Sequence, residues 1–551
     1  MNIIALVLAV IQPLWPEGRI PDFQEHQIAA MTNESEAEGF KPDEHRMPYL
    51  EWFEAPVSNS TRGCMILISG GAYNHCSDVR LVKKWKETFT ALGYQCVSLV
   101  YRTPRAKNAP CHRSAWQDGQ RAVRLVRRDA AERGFDPEKV GVIGMSAGGH
   151  LTCLLATSAL TPAYGRIDEI DDIPCHINWA IANAPAYNTA TAAAGVARPE
   201  DGTTLTDLKV NPCFKFDAKT CPISFHHGGA DKYTPNGSTL TYRELRKLKI
   251  PAELHLYADR KHGAYGLGRA IEFMRQMNFD GRLGTEKALD HRFFPGDTIH
   301  TEKEYLWPAD KAPDVSPNHR YRPYLVWFVP EKLTTKAIQV IVPGGGYSSC
   351  NFNGEGTPVA HYLNGKGMTA VVVMYRCPRP VGRSKHASAW QDAQRAIRLV
   401  RSEASARGLD PDRIGLMGFS AGGHLALMTS TNARTPAYEP IDAIDKLPCN
   451  VQWACPIYPA YVQTDDGAIV PEFSFDADTP PMCFIHGDAD RWSAMNSVKC
   501  WEKLRTMGVQ CDLHTLATRG HCFQIKSAPG TGSWTWLDQV WDFMTRKGFN
   551  K

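Results

Sequence analysis

The chain has 551 residues, 43% of them hydrophobic and 10% aromatic, which is enough apolar material for two buried cores, and its 22% charged content marks an ordinary soluble composition. A net charge of +4 is too small to point to nucleic acid or an anionic membrane as partner. No apolar run approaches the ~20 residues of a spanning helix, so no membrane partner is expected.

Residues 3–11 could pass as the apolar part of a leader. No Lys or Arg precedes them, and no small-residue cleavage site follows. The next segment, Leu14-Trp15-Pro16-Glu17, recurs as Leu306-Trp307-Pro308-Ala309. An unprocessed chain is therefore expected. That recurrence runs through the sequence and divides it into two domains, 1–282 and 283–551, with about 280–305 as connector.

Each copy opens with a strand, Tyr49 to Phe53 and Tyr324 to Phe328. An apolar run follows (Cys64 to Ile68; Ile338 to Val342) and stops at a glycine-rich loop, Gly70-Gly71-Ala72-Tyr73 and Gly344-Gly345-Gly346-Tyr347. Next come a helix (79–92; 356–365) and a buried strand (Gln95 to Tyr101; Thr369 to Tyr375). The strongest helix spans Trp116 to Arg133 and Trp390 to Arg407, with an apolar stripe on one side and arginines on the other. Gly134 and Gly408 stand where a C-terminal cap belongs.

The repeat is densest at PEKVGVIGMSAGGHLT (137–152) and PDRIGLMGFSAGGHLA (411–426), 274 positions apart. Each holds a G-x-S-x-G pentad, the pattern of a serine on a tight strand-to-helix turn. Three fixed positions should match by chance about 0.2 times in such a chain. Two matches in register, each after a strand-like run and before Gly-Gly-His, exceed that. Strands then follow at Trp179 to Ala184 and Trp453 to Ile457.

The copies next diverge: Tyr187 to Phe216 spans 29 positions and Tyr461 to Phe475 only 14. A strand leads into His227-Gly228-Gly229-Ala230-Asp231 and into His486-Gly487-Asp488-Ala489-Asp490. A further helix and strand bring the chain to His262 and His521, and an amphipathic helix closes each copy (264–277; 533–543). Alternating strands and helices imply a largely parallel sheet.

A serine nucleophile needs a base, an acid to orient it, and donors for the oxyanion. On this turn the order should be serine, acid, histidine. Both copies supply it, as Ser146, Asp231, His262 and Ser420, Asp490, His521, with 31 residues from acid to base each time. Asp488 is set aside because its counterpart is Gly229. His150 and His424 read as structural or pocket-lining, and His227 and His486 as packing or loop-bonding residues. The oxyanion donors should be the amide after the serine, of Ala147 or Ala421, with one from Gly71 or Ala72, and from Gly345 or Gly346. The Ala72 methyl would narrow the first site relative to Gly346.

Of sixteen cysteines, Cys64, Cys96, Cys153, Cys455 and Cys483 lie in apolar patterns, and only Cys76/Cys350 and Cys175/Cys449 recur. There is no CxxC pair and no zinc-type spacing. A reducing, cytoplasmic location is expected.

The SAGGH elbows, the G-G-[GA]-Y loop, the W-Q-D-x-Q-R-A-[VI]-R-L-V-R helix and the H-G-x-x-D turn resemble α/β-hydrolase esterases of the BD-FAE and acetylxylan-esterase type. The resemblance implies two tandem α/β-hydrolase domains, each a mostly parallel central sheet flanked by helices. It implies removal of acetyl or feruloyl groups from plant polysaccharide, or of short acyl groups generally, with no metal or organic cofactor. Ser69 and Pro343 depart from the His that related lipases often place before the loop glycines. Two alternatives stand beside it: a prolyl-oligopeptidase-like peptidase, and one active half joined to a degenerate binding half, for which Ala72 nominates the first.

Overall fold

The computed structural model describes residues 10–32, 39, 41–53, 63–77, 79–190, 208–279, 298–523 and 536–551. It divides into two compact units, Met1–Thr285 and Glu286–Lys551. The division, like the predicted 282/283 boundary, falls within 280–297, outside the described residues.

Unit 1 contains strands β1 (Val10–Pro13), β2 (Tyr49–Phe53), β3 (Cys64–Ile68), β4 (Gln95–Val100), β5 (Val140–Met145), β6 (Trp179–Asn183), β7 (Ile223–Gly228) and β8 (Ala252–Tyr257). Their order across the sheet is β1-β2-β4-β3-β5-β6-β7-β8. The β1–β2 and β2–β4 pairs are antiparallel and the rest parallel. Helices α1 (Val79–Ala91), α2 (Arg113–Arg128), α3 (Ala147–Thr157), α4 (Asn236–Lys247) and α5 (Leu267–Gln276) connect them.

Unit 2 repeats the plan with β9 (Thr298–Tyr305), β10 (Tyr324–Pro330), β11 (Ile338–Val342), β12 (Thr369–Met374), β13 (Ile414–Phe419), β14 (Trp453–Ile457), β15 (Met482–Gly487) and β16 (Cys511–Leu516). Its helices are α6 (Thr357–Gly365), α7 (Ala387–Ala404), α8 (Ala421–Thr431), α9 (Met495–Thr506) and α10 (Trp536–Lys547). The order is β9-β10-β12-β11-β13-β14-β15-β16, again antiparallel only at the β9, β10, β12 end.

Strand order reverses at β3 and β11, because β4 and β12 add on one side and β5 and β13 on the other. That switch leaves a crevice at the C-terminal ends of β3 and β5, where open parallel sheets place their sites. The central strands are buried on both faces, and their alternate residues feed different cores. Val340 and Leu416 pack with Ile397 and Leu425 of α7 and α8, while Ile341 and Met417 pack with Leu363, Val540 and Phe543 of α6 and α10. Each such aliphatic side chain contributes about 1.5–3 kcal/mol on burial.

Two sequence expectations need revision, the connector and the bounds of the strong helix. The connector 280–305 contains strand β9, which pairs antiparallel with β10, and residues 10–11 of the apolar N-terminal run begin strand β1. The strong helix runs Arg113–Arg128, beginning and ending earlier than predicted; Gly134 and Gly408 are nonetheless left-handed, each with φ 72°. Its arginines are engaged by distant segments. Arg121 is buried and donates to Leu14 O, Asp168 and Asp171, and Arg124 donates to Ile173 O and the Tyr164 hydroxyl. Arg395 and Arg398 repeat these bonds in unit 2. The motif is therefore a clamp, fixing the segment that follows the elbow helix to the chain start of each unit.

Asp118 completes the clamp by accepting from Trp15 Nε1 at 2.9 Å, the Arg102 amide at 2.9 Å and Arg102 Nε at 3.0 Å. Asp392 does the same for Trp307 and Arg376. All sixteen cysteines are free thiols.

Candidate active site

The strand-to-helix turns place Ser146 at φ 57°, ψ −118° and Ser420 at φ 54°, ψ −116°. A non-glycine residue there carries strain of order 1–3 kcal/mol, so its surroundings must hold it. They do: the Ser146 amide donates to Asn183 O at 2.9 Å and its carbonyl accepts from His150 N at 2.9 Å, with Ser420 bonded likewise to Ile457 and His424 at 3.0 Å each. The flanking glycines let helix and strand touch. A Cβ on Gly148 would sit 2.4 Å from Ser69 O, and one on Gly422 2.0 Å from Val342 O.

The ends of β7 and β15 carry Asp231 and Asp490, and the turns after β8 and β16 carry His262 and His521. In unit 2 the three side chains form a continuous relay. Ser420 Oγ lies 2.7 Å from His521 Nε2, and His521 Nδ1 lies 2.7 Å from Asp490 Oδ2. In unit 1 His262 Nδ1 is 2.7 Å from Asp231 Oδ2, but no hydrogen bond joins His262 to Ser146 among the described residues. The His262 side chain is 21% exposed and that of His521 9%, so the first imidazole is the less enclosed.

His227 and His486, read from the sequence as packing or loop-bonding residues, lie against the acids. The structure adds a second histidine to each acid, with His227 Nε2 at 3.1 Å from Asp231 and His486 Nε2 at 3.2 Å from Asp490. Burial works against ionisation of these carboxyls, but His227 with His262, and His486 with His521, outweigh it and hold both below the usual carboxylate range. For His521, burial opposes the charged ring, yet Asp490 and the adjacent Cys522 lift it to about 9.

The glycine-rich loops lie beside the serines: a Cβ on Gly70 would fall 3.0 Å from Ser146 Cβ, and one on Gly344 2.9 Å from Ser420 Cβ. The amides of Gly71, Ala72 and Ala147, and of Gly345, Gly346 and Ala421, donate to no partner among the described residues. These are the groups an oxyanion would need. Tyrosines from the strand ends fix the loops where a His was absent: the Tyr101 hydroxyl donates to Ser69 O at 3.2 Å, and that of Tyr375 to Pro343 O at 2.9 Å. The length difference between the copies lies mainly in 191–207, outside the described residues.

The BD-FAE family model matches the chain twice, over residues 50–166 and 327–448. Each unit has the α/β-hydrolase architecture and resembles the BD-FAE family over its matched segment. An acetylxylan esterase of Xylanibacter ruminicola is 30% identical over 229 residues, 38% of this chain and 44% of that protein. A probable carboxylic ester hydrolase of Mycobacterium tuberculosis, LipM, is 30% identical over 143 residues, 25% of this chain and 31% of that protein. The chain thus spans less than half the length of these curated relatives. Among solved structures, the acetyl ester-xyloside bifunctional hydrolase from Caldicellulosiruptor lactoaceticus is 26% identical, with a TM-score of 0.39, covering 45% of this chain and 97% of that one. The matched segments hold the loop and the serine of each unit and stop before the acid and the base.

The two units differ beneath the histidine. In unit 2 the buried Glu355 accepts from the Gly344 amide at 2.7 Å and from the Tyr458 hydroxyl at 2.9 Å. Tyr458 in turn packs its ring 5.2 Å from that of His521. Burial raises the Glu355 carboxyl, and Tyr458, Gly344 and His521 oppose the rise. The register after β6 puts Ala184 where unit 2 has Tyr458, so this buttress is missing from unit 1. That mismatch, Ala against Tyr in otherwise matching segments, was the signal available in the sequence.

Proposed function

We propose that both units are serine carboxylic-ester hydrolases acting on acetyl or feruloyl esters of plant polysaccharides such as xylan. The observation that carries this reading is the relay Ser420–His521–Asp490 on a strained elbow, beside a loop and helix start whose three amides donate to no partner among the described residues. His521 takes the Ser420 proton as the hydroxyl oxygen attacks the ester carbonyl, and the carbonyl oxygen gains charge against the amides of Ala421 and of Gly345 or Gly346. Collapse expels the sugar alcohol, which takes the proton back from the imidazolium, and leaves an acyl-serine. Water, deprotonated by His521, then releases the acid. Asp490 stays ionised and orients the ring.

Acetyl and xylan are favoured because the BD-FAE match and the acetylxylan esterase likeness agree with this geometry. Tyr461 and Trp492, half-buried and 4.8 Å apart at the second site, offer rings on which a sugar can lie. Ser146→Ala and Ser420→Ala, assayed separately on acetylated xylan and methyl ferulate, test the assignment. Each should abolish one component, with different residual profiles; identical profiles would refute separate preferences. A second reading has specific support: without a Ser146–His262 bond, unit 1 serves as a binding module. Fluorophosphonate uptake of one equivalent per chain rather than two would select it.

A further inference from the structure

We propose that each unit also holds a divalent transition-metal ion, zinc by the chemistry of its ligands, in a site behind the elbow helix: His112, His150 and Cys213 in unit 1, and His386, His424 and Glu472 in unit 2. In each trio the ligand atoms lie within 4.8 Å of one another. The inference is independent of the esterase reading, and the site is built apart from the relay.

The two trios occupy equivalent places, the first histidine just before α2 or α7 and the second at the fourth position of α3 or α8. The third member differs, Cys213 in one copy and Glu472 in the other. A thiol and a carboxylate share neither size nor polarity, but both ligate zinc beside two imidazoles. The orientation of the inner histidine suits that role. Its Nδ1 is taken by a tyrosine hydroxyl, Tyr73 at 2.7 Å from His150 and Tyr347 at 2.8 Å from His424. Such an outer partner is what fixes the ring of a metal-bound histidine.

Nε2 is thereby left toward the trio, 3.7 Å from Cys213 Sγ and 3.4 Å from Glu472 Oε1; Asn211 Nδ2 also lies 3.4 Å from His150 Nε2. The outer histidines have unmet capacity too, since Nδ1 of His112 and Nδ1 of His386 are buried with no hydrogen-bond partner among the described residues. His112 is 93% buried, the complement of its 7% exposure.

Ligands at about 2.0–2.3 Å from a tetrahedral zinc stand roughly 3.3–3.8 Å apart, so the His424–Glu472 edge already fits and the longest edge closes by about 1 Å. Cys213 and Glu472 are each partly exposed, which gives the ion a way in and a water the fourth position. Through Tyr73 and Tyr347 a bound ion would stiffen the glycine-rich loops.

The full chain, stripped with EDTA and exchanged into chelator-free buffer, is titrated with zinc sulfate and its metal content measured after desalting. Two equivalents are expected for the unsubstituted protein, one for Glu472→Gln, one for Cys213→Ser and none for the double variant, with unchanged circular dichroism. Cobalt(II) loading should give a thiolate charge-transfer band that Cys213→Ser removes and Glu472→Gln keeps. Binding of less than one equivalent, or retention of both equivalents by the double variant, overturns the proposal. Should a variant fail to fold, the unsubstituted protein decides, because a cobalt spectrum with no thiolate band also overturns the unit 1 site.

Discussion

The raised His521 makes a quantitative claim about pH. A base must be neutral to take the Ser420 proton, and Asp490 with Cys522 holds the imidazole proton up to about 9. With that value about 1% of His521 is neutral at pH 7 and half at pH 9, so kcat/KM of unit 2 should rise about 50-fold between them. An unshifted imidazole near 6.5 would be about three-quarters neutral at pH 7 and give almost no rise. Ser146→Ala isolates unit 2, and initial rates on a short-chain acetyl ester, corrected for hydroxide hydrolysis, supply the profile. Cys522→Ala removes one of the two partners and should move the inflection downward while leaving the Asp490 bond in place. The linked stability runs the opposite way to the rate: the raised value stabilises the fold fully below the unfolded histidine range, and this is lost as pH rises through about 9. An inflection near 6.5, unmoved by Cys522→Ala, would refute the reasoning.

Asp392→Ala strands the buried Arg376 and the Trp307 indole N–H; unit 2 should lose about 3–5 kcal/mol in denaturant unfolding, and a loss below about 1 kcal/mol would contradict the clamp. Gly415→Ala drives a methyl to 2.0 Å from the Trp453 ring, and strain of about 1–3 kcal/mol should appear as a lowered Tm. Glu355→Leu removes the acceptor of the Gly344 amide; losing a bond of about 1–3 kcal/mol predicts a fall in kcat of roughly 10- to 100-fold with KM little changed, whereas an equal effect on unit 1 turnover would exclude a local role.

What could be read from sequence was what is encoded locally and twice. The elbow pentads, the loop glycines and the acid-to-base spacing are short-range demands on backbone shape, and duplication separated them from chance. What escaped is decided by partners far along the chain. Arg121 and Arg395 could be placed only on the side opposite the apolar stripe, because helical periodicity says nothing of Asp168, Asp171, Asp442 and Asp445, some fifty residues later, which pair with them. Strands β1 and β9 escaped because edge strands lack the continuous apolar run of buried ones: β9 reads TIHTEKEY. Of the Glu355–Tyr458 buttress the sequence showed only the mismatch of Ala184 against Tyr458; Glu355 follows a loop with no counterpart motif, and only the fold links it through Tyr458 to His521.

The methyl of Ala72 was expected to distinguish the two sites, and the geometry argues that it does not. Ala72 and Gly346 hold nearly the same backbone, φ 54° and φ 64°. A Cβ at Gly346 would meet nothing nearer than the Tyr461 hydroxyl at 3.5 Å, which is ordinary contact. The difference is then a backbone penalty of about 1 kcal/mol for a side chain in the left-handed region, borne by unit 1 already. Gly346→Ala should therefore lower unit 2 stability by that amount and leave the fluorophosphonate labelling rate of Ser420 within about 3-fold of its starting value. Tyr458→Ala, which copies the other divergence, should slow that labelling far more, because it frees Glu355 and unpacks the face of His521. If Gly346→Ala alone brought Ser420 down to the rate of Ser146, the loop methyl and not the buried Tyr458 would set the units apart.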